Sequence, residues 1–324
     1  MNRRSLLAGS ALAATAALAV RQQWWPRVPR RSRRISRAAV LRCDRYEHTP
    51  GVVRDGLRLL APTVRGKRVL LKPNLVEYSP TAPINTHPML IASTVDALYM
   101  LGAASVTVAD GPGHVRDTEL LLAECGLRAQ LDEVGRAEFV DLNFDSVVRV
   151  DPATRLTQLS EIWLPASIRA GDVLISMPKI KTHHWAGVTL SLKNLFGVVP
   201  GSIYGWPKNV LHWQGIENSI VELAASVPVH FVIADGIEAM EGNGPLHGPM
   251  RRLGCLVFAD DPVAADATCC RLMGIDPARV RHLQMASSLG NLQPDRIEQR
   301  GERIETLMQR FDLLPGFGHL RGGF

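Results

Sequence analysis

The chain contains no C-x-x-C pair. Its five cysteines, at 43, 125, 255, 269 and 270, encode neither a zinc knuckle nor an iron–sulfur cluster by spacing, and their odd number argues against a fully disulfide-stapled scaffold. No G-K-[ST] or G-x-G-x-x-G follows a strand signal, so nucleotide binding is unsupported. Neither a G-x-S-x-G nucleophile elbow nor an H-E-x-x-H zinc helix is present. Acid is missing altogether from residues 1–37, which hold nine arginines. Without that stretch the formal charge of +6 becomes −3. The body is mildly acidic, and no basic face supports nucleic-acid binding.

What the first residues do contain is a charged start, an apolar stretch from Leu6 to Val20 and the small-x-small triplet Ala17-Leu18-Ala19. That is the layout of an export signal. The Arg3-Arg4 pair, and an apolar stretch diluted by Gly9, Ser10 and Thr15, look like a twin-arginine signal, although Asn2 and Leu6 depart from its usual motif. The expected location is outside the cytoplasm, in the periplasm, with the twin-arginine machinery as a partner. Fifteen apolar residues are short for a membrane span, so anchoring follows only if the signal stays uncleaved. Residues 21–37 read as an Arg-rich linker able to touch an anionic membrane surface. A single globular domain is expected over 38–324.

Within that domain, short apolar runs are followed by Gly, Pro or acidic breaks at 69–71, 106–109, 139–140, 173–175, 231–234 and 256–259. Each is a strand signal. Helical spacing fills 89–101, 118–127, 216–227 and 263–273 between them, and 296–310 reads as a terminal amphipathic helix. The alternation predicts an α/β fold, a mostly parallel sheet with helices on both faces and a ligand site at the strand C-termini. Asp260 or Asp261 before Pro262 is expected to cap the helix that follows. Cys269 and Cys270 fall in its apolar pattern as small buried residues.

The most unusual segment is 174–201. It crowds Lys179, Lys181, His183, His184, Lys193 and Asn194 just after the apolar run Val173-Leu174-Ile175. A helix starting near Gly187 would align Val188, Leu192, Leu195, Phe196 and Val199 as a core stripe, with Thr189 and Lys193 one turn apart on another face. Any one of these lysines read alone is a surface lysine with a buried stem. As a group at a strand end, they are candidates for holding an anion. His183, His184 and Lys193 are the candidate catalytic residues, able to transfer a proton. Lys72, Asn74, Lys179, Lys181 and Asn194 are candidate substrate contacts. The loop Gly242-Asn243-Gly244 can turn backbone N–H groups toward an anion. A divalent metal would need ligands beyond the two adjacent histidines, and Asp110, His114, Asp235 and Glu241 are the candidates for that role.

The strings LLKPNLV (70–76), ADGPG (109–113), PKIKTHH (178–184), SLKNLFG (191–197) and EGNGP (241–245) together resemble the DUF362 family of bacterial and archaeal proteins. Some members carry ferredoxin-like cysteine clusters, which this chain lacks. A fainter resemblance links His184, Gly187, Ser191, Lys193 and Pro200-Gly201 to the nickel-pincer lactate racemases, in which lysine and histidines hold a pyridinium-derived cofactor. The expected function is binding of a small anionic molecule, with or without a metal, in a Lys/His pocket. The alternatives are a non-catalytic ligand or cofactor carrier and, more remotely, a pincer-type isomerase.

Overall fold

The computed structural model describes residues 34–113 and 117–322. The expected export signal, most of the expected linker and His114 lie outside them. Thirteen strands are formed among the described residues: β1 Ser36–Arg42, β2 Arg68–Pro73, β3 Ser105–Asp110, β4 Ala137–Asp141, β5 Val147–Val150, β6 Ile162–Pro165 and β7 Val173–Met177, then β8 Lys179–His183, β9 Gly187–Thr189, β10 Phe231–Met240, β11 Met250–Arg251, β12 Cys255–Ala259 and β13 Ile297–Gly301. The main sheet runs β13-β1-β12-β10-β7-β2-β3-β4. Along that path only β12 is antiparallel to its neighbours. β5 and β6 form a separate antiparallel pair.

All six apolar runs read as strands are strands; each alternates its side chains between two cores, five of them largely buried and the edge strand β4 half-buried. Val69 and Leu71 enter one core with the helices Thr49–Leu60 and Pro88–Met100. Leu70 enters the other with Ile216–Ser226 and Pro262–Leu272. The fold is thus a mostly parallel mixed sheet covered by helices on both faces. Helix and sheet approach closely where Gly56 meets Phe258, since a Cβ there would collide with the buried ring.

Two expected elements differ. Residues 296–310 are not one helix: β13 pairs in parallel with β1, followed by the short helix Ile304–Leu307. Gly301, at φ 74, breaks the helical run, and the open edge of β1 offers a backbone ladder that outweighs an isolated helix. Near Gly187 the chain does not start a helix either. Gly187, at φ 78, turns it back so that β9 pairs with β8, and the helix is confined to Ser191–Asn194. Of the two acids before Pro262, Asp261 is the cap, accepting from Val263 N at 2.8 Å and Ala264 N at 3.2 Å. Asp260 instead pairs with Arg34 and Arg37.

The descent of the chain at β7 sets up the site. Pro178 interrupts the ladder after Met177, and the strand resumes as β8 against β10 rather than β2. Lys181 and His183 are carried past the end of the parallel strands by this shift.

Candidate functional site

β2 ends at Lys72-Pro73 because proline has no N–H to continue the ladder. The Lys72 side chain, 1% exposed, turns into the resulting gap. Its Nζ donates to Asp110 Oδ1 at 2.6 Å, to the Pro73 carbonyl at 2.8 Å and to Asn194 Oδ1 at 3.2 Å. Asp110, the last residue of β3, also accepts from Leu75 N at 2.7 Å and Gly111 N at 2.8 Å. The Asn194 amide is fixed in turn by donation to Ser176 Oγ at 3.1 Å and the Lys72 carbonyl at 3.3 Å. Asn194 therefore positions Lys72. Gly197 closes over this pair, and a Cβ there would collide with both the carboxylate and the ammonium.

The ion pair forms one wall of a cavity of about 290 Å³ at the carboxyl ends of the strands. Three further lysines line it, none paired with a carboxylate. Lys181 is fully buried and, among the described residues, donates only to the Ile84 carbonyl, at 2.8 Å. Burial, reinforced by Lys179 and Lys193, holds its pKa well below the ordinary lysine value. Lys193 makes no hydrogen bond or ion pair among the described residues; its Nζ lies 3.7 Å from the centre of the Phe196 ring. Burial and then the charge of Lys72 lower it to about 7. Lys208 donates to the Val199 carbonyl at 2.6 Å and to Asn143 Oδ1, and burial lowers it to about 7 as well. Desolvation with no carboxylate partner among the described residues disfavours the charged form of these amines.

Three imidazoles complete the wall. His183 Nδ1 accepts from Trp185 N at 3.0 Å and Ala186 N at 3.1 Å, which places the proton of the neutral ring on Nε2. Burial and the Lys193 charge keep His183 well below its ordinary pKa. In His184 the arrangement is reversed: Nδ1 lies 2.8 Å from the Gly244 carbonyl, which can only accept. Its neutral ring keeps the lone pair on Nε2. His212 has the same tautomer, with Nδ1 donating to the Lys208 carbonyl at 3.1 Å. Adjacent residues thus present one proton donor and one proton acceptor, their rings 4.9 Å apart.

The structure brings together Lys72, Asn74, Asp110, Lys181, His183, His184, Lys193 and Asn194 in the cavity lining. It does not bring Lys179 or Asp235 there. Lys179 Nζ donates to Asp235 Oδ2 and to Tyr46 Oη, both at 2.8 Å, a buried cluster that holds β8, β10 and the segment before the helix Thr49–Leu60. Nor does the loop after β10 act as an anion nest. Gly242 N donates to the Asp312 carbonyl at 2.8 Å, Asn243 faces solvent, and Gly244 offers its carbonyl to His184. Glu241 accepts from Asp312 N at 2.9 Å and lies 3.7 Å from Arg251. Because these carboxylates already have partners, no group of three His, Cys, Asp or Glu converges on a metal position among the described residues.

Lys208 and His212 were not singled out in the sequence. They come from 205–213, a stretch with no strand signal, and the proline after Trp206 is the only local sign that it folds back. Two polar atoms in the lining, Asn74 Oδ1 and Thr189 Oγ1, are buried without a hydrogen-bond partner.

The sequence profile of the DUF362 family, described as a domain of unknown function, matches residues 69–271. A thylakoid-associated protein of Synechocystis sp. is 29% identical over 232 residues, covering 69% of this chain and 68% of that protein. Among solved structures, the lactate racemase apoprotein of Thermoanaerobacterium thermosaccharolyticum aligns with 75% of this chain and 58% of its own, at TM-score 0.46 and 14% identity. A protein of Thermotoga maritima aligns with 72% of this chain and 60% of its own, at TM-score 0.42 and 12% identity. This chain therefore spans about three fifths of the length of those two structures.

Proposed function

This chain belongs to the DUF362 family, and from the cavity enclosed by its matched segment we propose that it binds a small carboxylate- or phosphate-bearing molecule and exchanges a proton with it. One observation carries the reading: four lysines surround a cavity that contains a single carboxylate, Asp110, already committed to Lys72. A ligand anion would give Lys181, Lys193 and Lys208 the counter-charge they lack, by charge-assisted hydrogen bonds. Asn74 Oδ1 and Thr189 Oγ1 would gain their missing partners from polar groups on the same molecule. His183 would donate from Nε2 and His184 accept at Nε2, the pair needed to move a proton on a bound substrate.

The pH dependence follows with a definite sign. Lys193 and Lys208 sit at about 7 in the free protein, and an anion binds their charged forms. Below pH 6 the protons are already in place; above pH 7 binding must recruit them. For a small dicarboxylate, which does not itself titrate there, affinity is expected to fall by about tenfold per pH unit per recruited proton between pH 7 and 9. Calorimetry in buffers of differing ionisation enthalpy should show proton uptake at pH 8 and little at pH 6. An affinity that is flat from pH 6 to 9, or no binding at either pH, would refute the proposal.

For localisation, the Arg3-Arg4 pair and the apolar stretch support export by the twin-arginine route, and the thylakoid association named for the Synechocystis relative supports a place next to a membrane. Replacing Arg3-Arg4 by Lys-Lys is expected to leave the protein inside the cell, as measured by fractionation. Unimpaired export of that variant would count against the route. Among the described residues no helix is long and apolar enough to cross a membrane.

A further inference from the structure

Only four Phe, Tyr or Trp side chains are exposed among the described residues: Tyr78 at 40%, Phe144 at 71%, Trp185 at 59% and Trp213 at 77%. Their placement is not scattered. Tyr78 follows β2, Phe144 follows β4 and Trp185 follows β8, and these three strands run in the same direction, so the three rings lie at the carboxyl end of the sheet. Trp185 lines the cavity itself, and Trp213 adjoins His212, another lining residue. Tyr78 is two residues beyond the lining residue Val76. Phe144 adjoins Asn143, which holds Lys208, and its ring lies 6.1 Å from that of Trp206. The amino end of the same sheet exposes no such ring; it carries ion pairs, Arg68 with Asp172 and Arg34 and Arg37 with Asp260, beside the aliphatic side chains of Leu59 and Met100.

Large rings left in water at one end of a molecule, around the mouth of its cavity, mark a surface that meets something less polar. Tryptophan and tyrosine prefer the headgroup layer of a bilayer, where the ring is desolvated and its polar atom stays wet. The cavity they frame is lined by four lysines against one carboxylate, already paired, and gains positive charge as an anion approaches, which suits an anionic headgroup layer. We infer that the carboxyl end of the sheet docks on an anionic lipid bilayer, with Phe144, Trp185 and Trp213 seated in the headgroup layer and the cavity mouth turned toward the lipid. This surface is separate from the N-terminal signal and the Arg-rich linker, the two parts of the sequence in which a membrane contact is expected. The choice of anionic lipid rests on the anion-binding reading of the cavity; the docking of the rings does not.

The test is co-sedimentation of the full chain with vesicles of phosphatidylcholine and phosphatidylglycerol in equal amounts, comparing wild type with the double variant Phe144→Ala/Trp213→Ala. Both residues are exposed, so thermal unfolding should be unchanged, and the linker arginines contribute equally to the two proteins. The vesicle partition coefficient of the double variant is expected to fall by about tenfold, with dicarboxylate affinity unaltered. Equal partitioning of the two proteins would overturn the inference, as would failure of the wild type to bind vesicles at all, which would leave the rings as a contact for a protein. Loss of dicarboxylate binding with ring-dependent vesicle binding intact would remove the cavity reading and leave the docking surface standing.

Discussion

Replacing Lys181 by Met is expected to give a free protein about 1–2 kcal/mol more stable than wild type at pH 7 that has lost most of its response to a carboxylate ligand. The stabilisation comes from linkage. Lys181 is fully buried with one carbonyl partner, and its folded pKa lies well below 10.5. Between the folded value and 10.5, the unfolded chain binds a proton that the native protein refuses. Native stability is therefore lost as pH falls through that window, and at neutral pH the loss is already present. Methionine fills nearly the same volume without a charge to desolvate. It leaves the Ile84 carbonyl without a donor, which cancels about 1 kcal/mol of the gain. The binding loss has the opposite origin: a charge-assisted hydrogen bond contributes about 1.5–3 kcal/mol, so affinity should drop by roughly 10- to 100-fold. Urea unfolding with and without dicarboxylate separates the two effects. A variant that is less stable than wild type and still gains full stabilisation from ligand would place Lys181 in the core rather than the site.

Such a trade of stability for binding, once measured, would account for why this part of the site was legible in sequence. Lysines crowded after the buried run Val173-Leu174-Ile175 are poor core residues, and a chain that keeps them there has another use for them. The strands were legible for a similar reason, since apolar runs broken by residues that cannot extend a buried ladder, Pro73 and Gly111 among them, read as strands; β10 is the exception in its end, because it continues through Asp235-Gly236 to Met240. What could not be read was partnership. Lys179 and Lys181 are two residues apart on one strand, yet the first meets Asp235 and Tyr46 and the second faces the cavity. That difference depends on β8 changing neighbours at Pro178, a tertiary event. The helix expected from Gly187 failed on local grounds: an apolar stripe at helical spacing is also satisfied by a turn, a short strand and a single helical turn when all sides are buried. Lys208 and His212 reach the cavity from a segment with no period of its own. Long-range folding placed them.

The second large effect concerns the wall rather than the ligand. Lys72→Ala and Asp110→Ala are each expected to destabilise the protein by about 3–5 kcal/mol, because each leaves a buried, uncompensated group. The two losses should differ in kind. Removing Lys72 leaves the Asp110 carboxylate with its Leu75 and Gly111 donors, still partly stabilised but pushed up by burial. Removing Asp110 strands the Leu75 N–H as well as the ammonium, which burial then drives to lose its proton, while Gly111 N keeps the Gly197 carbonyl at 3.0 Å. Asp110→Ala should therefore be the worse of the two. The double variant Lys72→Met/Asp110→Asn should recover most of the loss, and set against the single variants Lys72→Met and Asp110→Asn it should show a coupling energy of at least about 2 kcal/mol in urea unfolding, since methionine needs no counter-charge and asparagine retains an acceptor for one N–H and a neutral amide beside the Asn194 site. Additive losses in that cycle would mean the two residues act independently, and the cavity wall would then not be the single ionic unit that Gly197 and Asn194 close around. The same double variant isolates function from fold. It keeps Lys181, Lys193 and Lys208, so it should still bind a dicarboxylate with affinity lowered by about tenfold or less, whereas a wall lysine that contacts ligand directly would cost the full charge-assisted bond.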